Sequence, residues 1–137
     1  MSILNNNMRV SKVMLNLGDF PIVREDTILK EALETMDIFH LGIVCVVNDR
    51  YELLGIITDG DIRRKLLSVQ KPLPAFFVDD AINQAIKKPI TISGDVNLSE
   101  GVLLMEEYQV WDLPVVDDGK LVGLMHLHPA IKALLQD

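Results

Sequence analysis

The first third of the chain contains three successive patterns of apolar residues: a short run, a helical spacing and a continuous run. Residues 21–23 (Pro-Ile-Val) predict a short strand. Asp26 or Thr27 is expected to cap a helix that continues to about Phe39. The apolar positions of this helix fall on one stripe: Leu29, Ala32, Leu33 and Met36. The run from Ile43 to Val47 is typical of a strand that is covered on both faces.

A polar segment at residues 48–52 predicts a hairpin turn, and a partner strand should follow from Leu53 to Ile57. A helix is expected from about Gly60, with one buried face formed by Ile62, Leu66 and Val69. After it, residues 71–74 (Lys-Pro-Leu-Pro) predict a stiff linker, and residues 79–86 a short capped helix.

The second half predicts the same order of elements. A short extended segment at residues 90–92 precedes Asn97, which opens a sequence similar to a capping box and starts a helix. The residues expected to point inward from it are Leu98, Val102 and Met105. Two strands, Leu113 to Val116 and Leu121 to Met125, should form a hairpin. Pro114 favours an edge or bent position for the first of these strands, and Pro129 suits the first turn of a closing helix.

This agreement reflects an internal repeat of roughly 69 residues. Asp26, Leu29 and Met36 recur as Asp95, Leu98 and Met105, and Gly55 recurs as Gly123. The repeat predicts an α/β protein of two units, residues 1–70 and 71–137. Each unit is too small to be stable alone and should bury a face against the other.

Composition and charge exclude several classes of protein. The net charge of −7 argues against nonspecific nucleic-acid binding, which needs a basic face. The sequence contains no apolar run as long as a membrane span. Residues 1–7 do not show the charged and apolar regions of a signal peptide. The single cysteine, Cys45, lies within an apolar run, which favours a buried thiol and a cytoplasmic protein.

The candidate ligand-binding residues lie in the segment from Gly55 to Arg64. Thr58 offers a hydroxyl at the end of a strand, and Asp61 lies in the first turn of the next helix. The free N–H groups of that turn suit an anion, as do the guanidinium groups of Arg63 and Arg64. An ionised Asp61 suits a ligand rich in donors, such as a vicinal diol. Together they predict a site for a sugar phosphate or nucleotide.

A structural interpretation of the same residues stays open. Thr58 is able to cap the helix, and Asp61 to pair with Lys65 one turn later. The two arginines then form part of a solvated face.

The sequence from Gly55 to Asp61, together with the tandem repeat, resembles a pair of CBS domains (a Bateman module) over residues 10 to 135. This resemblance implies two β-α-β-β-α units around a pseudo-two-fold axis, with a central cleft, and a flat homodimer. It also implies that Asp61 and Thr58 contact ribose and phosphate. By the same resemblance Val23, Gly42 and Ile43 line the pocket for the base.

The string Thr-Asp-Gly-Asp-Ile-Arg-Arg at residues 58–64, with His126-Leu127-His128, is similar to the C-terminal CBS pair of arabinose-5-phosphate isomerases. Those enzymes carry an upstream sugar-isomerase (SIS) domain that this chain lacks. The string also resembles CBS pairs attached to sugar nucleotidyltransferases. Either enzyme is therefore a candidate partner, as an attached or separate protein.

The second repeat departs from the CBS pattern because His126 and Pro129 replace the Thr and Asp. A second ordinary nucleotide site is therefore doubtful. His126 and His128 should share a face of an extended strand, where they contact a ligand or anion or make structural hydrogen bonds. No metal site is expected, because a third ligand at a recognisable spacing is missing.

The sequence therefore predicts a regulatory module and not an enzyme. We expect no obligatory cofactor, and an adenine or cytidine nucleotide or a nucleotide-sugar as the regulatory ligand in the cleft between the units. The alternative is a dimerisation module that binds no nucleotide.

Overall fold

The computed structural model describes residues 8–68, 70 and 72–136. The strands are β1 (Leu15–Asn16), β2 (Ile22–Arg24), β3 (Ile43–Val47), β4 (Leu53–Thr58), β5 (Asp112–Asp117) and β6 (Lys120–His126). The helices are α1 (Leu29–Phe39), α2 (Asp59–Ser68), α3 (Leu73–Phe77), α4 (Ala81–Gln84), α5 (Leu98–Tyr108) and α6 (Leu127–Leu134), and a 3-10 turn at Val10–Lys12 precedes β1. None of the helices in these residues has the length and apolar character needed to cross a membrane.

The chain forms two compact units. One consists of residues 18–89, and the other joins the described residues before position 18 to those from position 90 onward. The units therefore differ from the division at residue 70 that the repeat predicts. The physical reason is that β1, near the start of the chain, pairs with β6 of the second repeat.

The unit at residues 18–89 contains a three-stranded sheet in the order β2-β3-β4. Strand β2 is parallel to β3, and β3 is antiparallel to β4 with Ile43 opposite Thr58. The predicted polar turn between β3 and β4 is confirmed. Asn48 holds it, since its side-chain oxygen accepts from the backbone N–H groups of Arg50 and Glu52.

The core of this unit lies between the sheet and α1, α3 and α4. Its buried members are Val23, Leu29, Ala32, Met36, Val44, Val46, Ile57, Phe76 and Ala81. Every residue of β3 is buried, as its continuous apolar run predicts. Helix α2 is different, because it contains no buried residue.

The predicted buried face of α2 is therefore wrong for the residues that can be assessed. Ile62 packs only partly against the core, and Leu66 is 41% exposed. Val69 lies outside the described residues. Charged side chains at Asp59, Asp61 and residues 63–65 surround the few apolar positions, so the helix lies on the surface and presents polar groups to solvent.

The predicted side-chain caps of the two long helices are also wrong. Ile28 and Asn97 precede α1 and α5, and neither makes a side-chain cap hydrogen bond. Backbone groups from distant segments take that role in both repeats. The N–H of Leu29 donates to the carbonyl of Asp79 at 2.8 Å, and the N–H of Leu98 donates to the carbonyl of Met8 at 2.8 Å.

The second unit contains a sheet in the order β1-β6-β5, and both neighbours of β6 are antiparallel to it. Strand β5 lies at the end of this order, which agrees with the edge position predicted from Pro114. The segment at residues 90–92 forms only an isolated parallel bridge, Ile92 to Val115. The third strand of this sheet is β1, which pairs with β6 and therefore lies at the opposite edge from Ile92.

Candidate ligand site

The corner between β4 and α2 depends on a close approach at Gly55. The N–H of Ile56 donates to the carbonyl of Ile86 at 3.0 Å, and the N–H of Ile86 donates back to the carbonyl of Ile56 at 2.8 Å. A Cβ at position 55 would lie 2.7 Å from the Ile86 carbonyl oxygen. The glycine therefore admits another segment of this chain, residues 85–86, which then forms part of the wall of the corner.

Thr58 and Asp61 join the strand to the helix. The Thr58 hydroxyl donates to Oδ2 of Asp61 at 2.7 Å, and the Thr58 N–H donates to the same oxygen at 3.3 Å. The N–H of Asp61 donates to the Thr58 hydroxyl oxygen at 3.3 Å. This is the reciprocal arrangement of a capping box, with aspartate in the place of glutamate. The cap considered from the sequence is therefore present.

Arg64 completes the group. Its Nη2 lies 2.8 Å from Oδ1 of Asp61, so Arg64, not Lys65, is the ion-pair partner of this carboxylate. The guanidinium lies over Gly60, where a Cβ would be 3.2 Å from Nη2 and 3.3 Å from Nη1. The Arg64 side chain is 63% exposed, whereas that of Asp61 is only 13% exposed. Arg63 is exposed on the same helix.

These contacts determine the charge of Asp61. Burial raises the pKa of the carboxyl, but hydrogen bonds from Arg64 and Thr58 and the charge of Arg64 together lower the pKa below its ordinary value. Asp61 is consequently ionised at neutral pH and is an acceptor for hydrogen bonds. The corner offers a largely buried negative charge beside an exposed positive charge.

A hollow of about 220 Å³ opens beside this pair. Its lining residues are Asp61, Arg64, Lys65, Ser68, Gln84, Ala85 and Ile86. The walls provide a carboxylate, two cations, a hydroxyl and an amide, with apolar groups from residues 85–86. Gln84 is itself held, because its amide nitrogen donates to Asp79 at 2.8 Å. The hollow thus suits a ligand with hydroxyl donors and an anionic group.

The three residues predicted to line a base pocket lie apart from that hollow. Gly42 lines a second hollow of about 430 Å³ in the same unit, together with Leu33, Met36, Asp37, His40, Leu41, Asp59 and Ile62. Ile43 is fully buried opposite Thr58, and the Val23 side chain belongs to the core. Their role toward a base stays a prediction.

The equivalent corner of the second repeat keeps the backbone and changes the side chains. The N–H of Leu127 donates to the carbonyl of Trp111 at 2.9 Å, as the N–H of Asp59 donates to Gly42 at 3.0 Å in the first repeat. Asp112 lies opposite His126 in the sheet, where the first repeat has Ile43 opposite Thr58. The two corners therefore have equivalent backbone hydrogen bonds and equivalent strand register.

The side chains of Asp112 and His126 form a hydrogen-bonded pair, with 2.7 Å between Oδ1 and Nδ1. Burial raises the pKa of Asp112, against the opposing effect of the hydrogen bond and charge of His126. The predicted strand face shared by both histidines is wrong, because β6 ends at His126 and His128 lies exposed in α6. The two ring centroids are 6.3 Å apart.

Several residues of these corners were not predicted from the sequence. Asp112 carried a signal, because it places a carboxylate where the aligned position of the first repeat is Ile43. Ser68, Gln84 and the segment at residues 85–86 carried none, because only the folded chain brings them to Asp61. Within the described part of the chain, no three His, Cys, Asp or Glu side chains are grouped so that they could hold a metal ion.

Comparison with known proteins identifies the family. A family model described as the CBS domain matches residues 10–68 and 78–134. The chain therefore belongs to the CBS-domain family, as a tandem CBS pair. Its sequence is 27% identical over 132 residues to the arabinose 5-phosphate isomerase KdsD of Yersinia pestis, covering 92% of this chain and 37% of that enzyme. The chain spans 37% of the length of a relative from Rickettsia prowazekii and 40% of one from Chlamydia trachomatis.

Solved structures agree with this fold. CBSX2 of Arabidopsis thaliana, in a complex with AMP, superposes with a TM-score of 0.81 at 24% identity and covers 93% of this chain and 96% of its own. The CBS pair of protein MJ0100, in a complex with 5-methylthioadenosine and S-adenosyl-L-methionine, has a TM-score of 0.75 at 20% identity, with 91% and 94% covered. Both of these CBS pairs were solved with ligands that contain adenosine.

Proposed function

We propose that this CBS pair is a regulatory module that binds a nucleotide or nucleotide-sugar at the corner between β4 and α2. Asp61 and Thr58 contact the ribose and the adjoining phosphate, and Arg63 and Arg64 supply positive charge for the phosphates. An adenine nucleotide is the first candidate, because two CBS pairs of the same fold were solved with adenosine ligands. A cytidine nucleotide or a nucleotide-sugar is the second.

One observation carries this proposal. Asp61 is ionised, only 13% exposed, and borders a hollow that also contains Arg64 and Lys65. A carboxylate accepts hydrogen bonds from vicinal hydroxyls, and guanidinium and ammonium groups suit phosphate. A ribose phosphate has both kinds of group, so a single ligand can contact the carboxylate and the cations that line the hollow.

The regulated activity belongs to another domain or protein. The likeness to KdsD supports a sugar-phosphate isomerase with an SIS domain as the partner, and a sugar nucleotidyltransferase is the alternative. In this account the chain binds and does not catalyse. The ligand changes the stability of one arrangement of a homodimer relative to another, by its difference in affinity for the two.

Thermal unfolding with a panel of ligands tests the proposal. The panel is AMP, ADP, ATP, CMP, S-adenosyl-L-methionine and a cytidine-activated sugar, each from micromolar to millimolar concentration. We expect at least one ligand to raise the Tm in a concentration-dependent way, since a ligand that binds only the folded state stabilises it. Asp61→Ala should abolish that rise. A Tm that no ligand changes would reject nucleotide binding and favour a dimerisation module.

A further inference from the structure

The hydrogen bonds that Asp61 already makes limit what a ligand can add. A carboxylate offers about four acceptor positions, two on each oxygen. The hydroxyl and N–H of Thr58 take both positions on Oδ2. Arg64 takes one of the two on Oδ1. One position therefore remains, whereas a vicinal diol brings two donors.

Arg64 is the donor that can leave. Thr58 is fixed by the end of β4 and by its role at the start of α2. The Arg64 guanidinium is 63% exposed and reaches Asp61 from one turn further along the helix. The guanidinium end of the pair is exposed, so water can solvate it when it leaves the carboxylate. Gly60 leaves open the space over the first turn in which the guanidinium lies.

The direction in which Arg64 can move is also defined. Both Asp61 and Arg64 line the hollow of about 220 Å³, and Lys65 and Ser68 line it beside them. A guanidinium released from Asp61 consequently stays at the wall of the same hollow. There it is able to pair with an anionic group of the ligand, bidentately where that group is a phosphate.

We propose that Arg64 is a specificity-determining residue: it occupies the carboxylate oxygen that a ribose diol needs and releases it only to a ligand that also has a phosphate. This inference rests on the proposed nucleotide site and adds a selection rule to it. A nucleoside must break the Arg64–Asp61 pair without replacing it. A nucleotide replaces it with an arginine–phosphate pair, so the site favours nucleotides over nucleosides.

Titration calorimetry of the full chain with AMP and with adenosine tests this rule. The variants are Arg64→Gln and, as a matched control, Arg50→Gln, which breaks the exposed Arg50–Glu52 ion pair of 3.2 Å in the same unit. For Arg64→Gln we expect AMP affinity to fall about tenfold or more, as for the loss of a hydrogen bond to a charged group. Adenosine affinity should rise about two- to fivefold, because the Arg64 guanidinium no longer occupies the Asp61 oxygen that the ribose hydroxyls need. Arg50→Gln should change neither.

The opposite change for the two ligands is the decisive result. Weaker AMP binding with unchanged or weaker adenosine binding would make Arg64 a simple phosphate contact and overturn the rule, while the nucleotide site would stand. Unchanged binding of both ligands would also overturn it. A wild-type protein that binds neither ligand would reject an adenine-nucleotide site at this corner, and the rule with it.

Discussion

Thr58 and Asp61 hold each other through three hydrogen bonds, of which the shortest joins the Thr58 hydroxyl to Oδ2 of Asp61 at 2.7 Å. The two interpretations that the sequence left open are therefore compatible. The same side chains that start α2 also hold a carboxylate at the edge of a hollow. Substitutions here should change both the stability of the fold and the affinity for a ligand.

The cap has a measurable contribution to stability. Thr58→Val removes the hydroxyl and keeps the shape of the side chain, so the free energy of unfolding should fall by about 1 kcal/mol. Thr58→Ser should lower the free energy of unfolding by much less, since serine keeps the hydroxyl. Thr35→Val is the control, because the Thr35 hydroxyl only donates to the Glu31 carbonyl within α1. Urea denaturation measures all three. Equal stability of the Val and Ser variants at position 58 would contradict the cap.

Asp61 should also make stability depend on pH. Its pKa is lowered in the folded state, so the unfolded chain takes up the proton more readily. The contribution is therefore complete above the ordinary carboxyl pKa of about 4 and is lost as the pH falls through the folded pKa. Wild type should exceed Asp61→Asn in stability at pH 7, and the difference should shrink on acidification. Urea unfolding between pH 7 and pH 3 measures it. A difference that grows toward low pH would show the opposite sign.

Two glycines of the first repeat should respond differently to a methyl group. At Gly55 the added Cβ meets the Ile86 backbone oxygen at 2.7 Å and the Ala85 Cβ at 3.0 Å, and a paired backbone cannot move aside. Gly55→Ala should therefore cost about 1–3 kcal/mol. At Gly42 the Cβ meets the carboxylate of the exposed Asp59 at 2.7 Å, and that side chain can rotate. Gly42→Ala should cost less, and equal losses of Tm would contradict the assigned contacts.

In the second repeat, the Asp112–His126 pair can be replaced by the residues that stand at the same positions in the first repeat. His126→Thr alone leaves the half-buried Asp112 without its imidazole partner and should cost about 1–3 kcal/mol. Adding Asp112→Ile recreates the Ile43–Thr58 pair of the first repeat. The double variant should recover most of the loss, because an apolar replacement of both partners leaves no unpaired charge. Purely additive losses in a double-mutant cycle would show that the pair does not interact.

Local patterns predicted most elements of the fold, although the segment predicted to be a stiff linker runs into the helix α3 (Leu73–Phe77). The apolar run at β3, the polar turn held by Asn48 and the stripe that begins at Leu29 each encode one element through short-range spacing. The repeat added the α/β class and the division into two similar units. These features depend on neighbours in sequence or on the copy of the same pattern.

Contacts between distant segments were not predictable in the same way. The two residues of β1 form a strand only because β6 is beside them. The first N–H groups of α1 and α5 bond to carbonyls of Asp79 and Met8, so no local cap is needed. At the site, the motif predicted Thr58 and Asp61 but not which cation pairs with the carboxylate. That choice depends on the space above Gly60, which only the folded helix shows.

Equilibrium binding of AMP to wild type, Asp61→Asn and Asp118→Asn tests the central claim most directly. Asp118 is an exposed turn residue at φ 52°, a conformation that asparagine tolerates, so it controls for the loss of one negative charge. We expect saturable binding to wild type and to Asp118→Asn, and affinity at least about tenfold weaker for Asp61→Asn. AMP binding of equal strength in all three proteins would contradict the role assigned to Asp61.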